Sequence, residues 1–189
     1  MGVTRILVDE GFTMLSVTAD TPRCFEIVDA LANISGIVPG MSSVLTTEQV
    51  EKAASHGARF ISSTTFDPAV VHCTKELNLL SIPGVLNAAE ATEAIAAGGD
   101  ILKIFPAHKV PPSALQELVG SLPAGTKVII AGGLTVDRIQ AYTSAGAMGF
   151  AAGSTLFKAG VSIPDLRERA RAFYEEGIRC HGIVHAAKG

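Results

Sequence analysis

Short apolar runs, each closed by Gly, Ser, Thr or Pro, alternate along this chain with longer amphipathic stretches. The short runs cover Thr13–Thr18, Gly36–Pro39, Arg59–Ser63, Leu79–Pro83, Asp100–Pro106, Lys127–Ala131 and Gly149–Ala152. Their length and β-branched content predict seven strands. The stretches between them repeat apolar positions at helical spacing and predict eight helices, over 2–10, 22–33, 47–56, 67–77, 88–98, 112–120, 135–145 and 164–179. Thr46-Thr47 before Glu48, Asp67 before Pro68 and Thr135 before Asp137 read as helix starts. Gly11, Gly57, Gly98 and Gly146 stand where helices should stop before the next strand.

Regular β-α alternation implies a parallel sheet, either an open doubly wound one or a closed barrel. Two observations favour the barrel. Strand starts recur about every 20–25 residues along the chain, as a barrel requires. No Gly-rich dinucleotide fingerprint follows the first strand. A complete barrel has eight strands, each followed by a helix. This pattern opens on a helix, so the expected fold is an α/β, TIM-type (β/α)8 barrel lacking the usual N-terminal first strand. The barrel domain is expected over residues 1–180, with 181–189 as a C-terminal tail. That tail holds a short β-compatible run, His181-Gly182-Ile183-Val184-His185-Ala186. It either fills the strand-one slot or hangs as a loose terminus.

Composition narrows the function classes. A chain of 189 residues with 48% hydrophobic residues can bury a sizeable core as one domain. The formal net charge of −3 argues against a nucleic-acid surface, so an anionic ligand would need a local positive site. Three widely spaced cysteines, Cys24, Cys73 and Cys180, suit reduced thiols in a cytoplasmic protein better than a disulfide framework. No run is long enough to span a membrane, and the opening MGVTRILVDEGF is too short in its apolar part and too charged for a signal peptide. It also matches the myristoylation motif poorly. The histidines at 56, 72, 108, 181 and 185 form no convincing ligand set, so no metal is expected.

One position stands out chemically. Lys103 interrupts an otherwise apolar strand, Ile101-Leu102-Lys103-Ile104-Phe105. A lysine inside a doubly covered parallel strand is costly to desolvate unless used or paired. Desolvation favours the neutral amine, the form that attacks a carbonyl. The alternative is a lysine that snorkels to a strand end. Gly132-Gly133 and Gly153-Ser154 follow the last two strands, where barrels commonly bind phosphate through backbone N–H groups. Turn formation alone would also explain each pair. Pro83 could shape the pocket mouth or simply make a turn. Ser42, Ser43, Ser62, Ser63, Thr64 and Thr65 cluster at two other strand ends, as ligand donors or as helix caps.

Leu102-Lys103-Ile104-Phe105-Pro106 resembles the Schiff-base lysine motif of the 2-keto-3-deoxy-6-phosphogluconate / 2-keto-4-hydroxyglutarate aldolases. Ile82-Pro83-Gly84 with Glu90 after it, Ala131-Gly132-Gly133-Leu134-Thr135 and Ala152-Gly153-Ser154 also match, and the similarity spans about residues 5–175. It is greatest toward the branch acting on 2-keto-3-deoxy-6-phosphogalactonate. The resemblance implies a class I aldolase, a homotrimer that uses no metal or organic cofactor and acts on a small keto acid. It implies that Lys103 forms the Schiff base. It places Ser43, Pro83 and Phe105 against the substrate, and Gly132, Gly133, Gly153 and Ser154 around its phosphate.

Three departures qualify this. Ser16 occupies the position of the family's catalytic Glu, and serine is no carboxylate base. Asp20 stands where the gluconate branch has a substrate-holding Arg. The first strand, which supplies a further basic residue in many members, is absent from the pattern. Three readings follow: an active aldolase with Asp20, Glu90 or His185 supplying the proton; an impaired or repurposed relative that binds keto acids or phosphates; or a structural barrel in which Lys103 is incidental.

Overall fold

The computed structural model describes residues 2–181. Its elements follow the expected alternation: α1 (Gly2–Asp9), β1 (Met14–Thr18), α2 (Cys24–Ala32), β2 (Val38–Ser42), α3 (Thr47–Ser55), β3 (Phe60–Ser62), α4 (Pro68–Glu76), β4 (Leu80–Ile82), β5 (Gly84–Val85), α5 (Ala88–Ala96), β6 (Leu102–Ile104), α6 (Pro112–Ser121), β7 (Val128–Ala131), α7 (Ile139–Ser144), β8 (Gly149–Ala151) and α8 (Ile163–His181). All neighbouring strands pair in parallel, in the orders β1-β2-β3-β4 and β5-β6-β7-β8. Pro83 alone separates β4 from β5, so the two sheets run on as one curved wall of a TIM-type barrel. Among the described residues, β1 and β8 are each paired on one side only. The tail from Gly182 onward lies outside the described residues.

Side-chain alternation sorts the wall into two faces. Leu102, Ile104, Val128 and Ile130 pack with Leu115, Leu118, Ile139 and Leu166 of the surrounding helices. Val17, Met41 and Ile61 pack with Val28, Val50 and Val70 in a second cluster. The residues between them therefore point into the barrel: Ser16 on β1, Gly40 on β2, Phe60 and Ser62 on β3, and Lys103 on β6. A side chain at Gly40 would run into the Phe60 ring, which fills that part of the lumen.

Local chemistry explains most boundaries. The Thr46 hydroxyl accepts from Gln49 N, and Asp67 accepts from Ala69 N and Val70 N with Pro68 opening the helix. The four predicted stop glycines all take positive φ, between 88° and 105°. Four expectations need correction. The second strand runs over Val38–Ser42 rather than Gly36–Pro39, because its register with β1 (Met14↔Val38 through Thr18↔Ser42) overrides Pro39 as a terminator. The second helix starts at Cys24, since Arg23 adopts a left-handed φ of 60°. Thr135 makes no side-chain cap, and the stretch after it divides into a 3-10 turn, Val136–Arg138, and α7. The run at Leu79–Pro83 yields β4 alone, and Pro83 separates it from a further short strand beyond the predicted run, β5.

Gly84 is the tightest point of the seam between the two sheets. A Cβ there would lie 2.4 Å from the backbone carbonyl of Thr64. Gly84→Ala is expected to destabilise the fold by about 1–3 kcal/mol through overpacking. Gly120→Ala, in α6 with open space around it, should instead stabilise by about 0.5–1 kcal/mol. Urea unfolding of both variants checks the contrast.

Candidate active site

The middle residue of β6 sets the site. Lys103 is 5% exposed, and its backbone N donates to the Pro83 carbonyl at 2.9 Å, which pins β6 against the β4–β5 seam. Its side chain crosses the lumen to β3, where Nζ donates to Ser62 Oγ at 2.8 Å. Ser62 is itself 6% exposed. The amine also lies 5.5 Å from the centre of the Phe105 ring. Burial pushes the Lys103 amine down from 10.5 to about 8. Among the described residues, Lys103 forms no ion pair.

The loops around the lysine are held by specific bonds. Asp100, just before β6, accepts from Ser81 N at 2.8 Å and pairs with Lys75 at 2.7 Å. That clip ties the start of β6 to β4 and α4. Beyond β6, the turn Ala107–Lys109 is fixed by buried Tyr142, whose hydroxyl lies 2.7 Å from the Ala107 carbonyl and 2.9 Å from the Val110 carbonyl. His108 N donates to the Gly132 carbonyl at 3.2 Å, joining this turn to the loop after β7.

The predicted site residues fall as follows. Pro83 is buried and acts through its carbonyl, as the anchor of Lys103. Phe105 stands beside the amine and lies over Gly132, where a Cβ would come within 2.7 Å of its ring. Gly133 is similarly covered by His108. Gly132 is thus required for close packing, whatever it binds. Gly153 and Ser154 follow β8 and are exposed, with open space at Gly153. Ser43 follows β2 in a left-handed conformation, φ 57°. Ser16 lies exposed on the lumen face of β1, opposite Gly40.

Of the three candidate proton donors, Asp20 is exposed in the turn after β1. The Glu90 carboxylate accepts from Leu86 N at 2.8 Å and from Asn87 Nδ2 at 2.7 Å, while Glu90 N donates back to Asn87 Oδ1. This reciprocal cap opens α5 and occupies the carboxylate. His185 lies outside the described residues. Among the described residues, no three His, Cys, Asp or Glu side chains converge as a metal site.

The family model described as KDPG and KHG aldolase matches residues 2–171. The chain belongs to the KDPG/KHG aldolase family. That family is enzymatic, its members carbon–carbon lyases. The chain is 34% identical over 173 residues to a probable 2-dehydro-3-deoxy-6-phosphogalactonate aldolase of Rhizobium meliloti, covering 90% of this chain and 82% of that protein. It is 29% identical over 178 residues to the 2-dehydro-3-deoxy-6-phosphogalactonate aldolase of Escherichia coli, covering 92% and 87%. A solved structure described as native KDPGal superposes with a TM-score of 0.92 at 27% identity, covering 96% of this chain and 89% of that one.

Ser62 is one of six hydroxyls at two strand ends in the sequence, where nothing distinguishes it as the partner of Lys103. The available signal was its place two residues after Phe60, which puts it on the lumen face of β3. The partner lies 41 residues away, and no local pattern reports that.

A buried amine that must shed its proton costs stability. The folded-state value is depressed, so below pH 8 both folded and unfolded chains carry the charge and the folded state bears the full desolvation cost. Lys103→Met is therefore expected to be more stable than wild type by about 1–3 kcal/mol below pH 8. The advantage should shrink as pH rises from 8 toward 10.5. Denaturant melts across that range measure it, and a variant less stable than wild type at neutral pH would contradict the buried-charge account.

Proposed function

We propose that this chain is a class I aldolase that cleaves a 2-keto-3-deoxy-6-phospho sugar acid to pyruvate and glyceraldehyde 3-phosphate through a Schiff base on Lys103. The observation that carries this reading is the Lys103 amine, buried in the lumen with its pKa pushed down to about 8. Near neutral pH a useful fraction is uncharged and able to add to the C2 ketone. The iminium, formed with loss of water, draws electrons from the C3–C4 bond as the C4 hydroxyl gives up its proton, so the bond breaks to release the aldehyde and leave an enamine of pyruvate. A proton returned to C3 and hydrolysis of the imine then free pyruvate and the amine. This chemistry calls on no metal or organic cofactor.

The 34% identity to a probable galactonate-branch enzyme supports the phosphogalactonate substrate over other sugar acids. In this reading Ser43, Pro83 and Phe105 line the keto-acid end. The exposed Gly153-Ser154 turn and Gly132-Gly133 take the phosphate on backbone N–H groups. A homotrimer fits the family, and the free thiols of Cys24, Cys73 and Cys180 fit a reducing, cytoplasmic setting.

One observation favours a second reading, an impaired or repurposed aldolase. Ser16 lies on the lumen face at the position that the resemblance assigns to the family's acid/base, and among the described residues Lys103 has no carboxylate paired with it. The two readings share the Schiff base and differ in turnover.

Treatment with pyruvate and borohydride is expected to leave a covalent adduct on Lys103, read by intact mass and peptide mapping. Its absence, under conditions that label a known class I aldolase, would end the Schiff-base reading. Pyruvate release from 2-keto-3-deoxy-6-phosphogalactonate then separates the two versions. If the site lacks its acid/base, Ser16→Glu should raise kcat by about 10²–10⁴. An unchanged kcat in that variant would show that another group already moves the proton.

A further inference from the structure

We propose that the Ser62 hydroxyl is a proton relay for Lys103 in the step where the amine adds to a keto acid, an inference that rests on the Schiff-base reading above. Ser62 Oγ lies 2.8 Å from Nζ, and both groups are buried in the lumen. Among the described residues, the hydroxyl hydrogen-bonds Lys103 and no other side chain. A hydroxyl both accepts and donates, so it can pass a proton without itself ionising.

The alternatives nearby are poor. Glu90 is committed to its helix cap, and Asp20 is exposed in the turn after β1. Ser16 lies on β1, an edge strand of the first sheet, while Ser62 closes β3. The β4–β5 segment alone separates β3 from the lysine strand. The amine therefore works among hydroxyls, and Ser62 is the one already bonded to it.

The step balances within the site. The Nζ lone pair attacks C2, the Nζ–C2 bond forms, and the carbonyl π pair moves onto oxygen. The adduct nitrogen then carries one proton too many and the oxygen a negative charge. Ser62 Oγ takes the nitrogen's proton while its own hydroxyl proton passes to the oxyanion. A neutral carbinolamine and an intact serine result, with no external acid or base consumed.

Ser62→Thr and Ser62→Val have nearly the same shape and differ in the hydroxyl, so the pair isolates the relay from packing. The measurement is the rate of pyruvate trapping by cyanoborohydride, followed by intact mass from neutral to alkaline pH, with circular dichroism and melting as folding controls. Ser62→Val is expected to trap about 10²-fold more slowly than Ser62→Thr, the low end for a positioned proton-transfer group. The midpoint of its pH–rate curve should also move below that of wild type, because the ammonium form loses its acceptor. Equal rates and an unmoved midpoint in the two variants would overturn the relay while wild-type labelling leaves the Schiff-base reading standing. If the branched variants fail to fold, Ser62→Ala replaces them; trapping at the wild-type rate overturns the relay equally. No adduct on wild type sinks both.

Discussion

The structure depends on one constraint: an amine held inside a barrel, beside the Ser62 hydroxyl and the Phe105 ring. Water would hold Lys103 charged. The lumen removes that water and offers Ser62 Oγ at 2.8 Å and the Phe105 ring at 5.5 Å in exchange. Those neighbours stabilise an ammonium far less than bulk solvent or a carboxylate would. The amine consequently changes state near pH 8 rather than 10.5.

Holding that amine in place takes support from several directions. On one side β6 bonds the Pro83 carbonyl, and on the other it bonds Lys127 through Leu102 N. The Asp100–Lys75 pair and the Ser81 N–H fix the strand's start. Tyr142 and the His108–Gly132 bond fix the turn beyond its end. The carboxylates around the site, Asp100 and Glu90, are engaged in building this frame.

Much of this was legible in the chain itself. Seven strand runs, eight helical stretches, the Thr46 and Asp67 caps and the glycine stops follow from period, propensity and backbone freedom, all of which act over a few residues. Lys103 stood out for the same reason, as one charged residue in an apolar run. Of the misread features, the strand depends on a partner distant in sequence, whereas Glu90 is engaged by neighbours three and four residues away. β2 takes its true extent from pairing with β1, and Arg23 enters a left-handed turn that nothing local demands. Glu90 matched a family segment and read as a candidate acid, yet its carboxylate is spent on Leu86 N and Asn87.

The sequence by itself determined the alternation of elements, the barrel class, and the positions of the lysine and the late glycine turns that stand out from that pattern. The tertiary structure alone decided that Ser62 faces Lys103 across the lumen, that Phe105 and His108 cover the glycines after β7, and which acids were left free. The division has a physical cause. Periodicity and capping are set by neighbours along the chain. Burial of a charge, and the hydroxyl that meets it 41 residues away, exist only once the wall has curved.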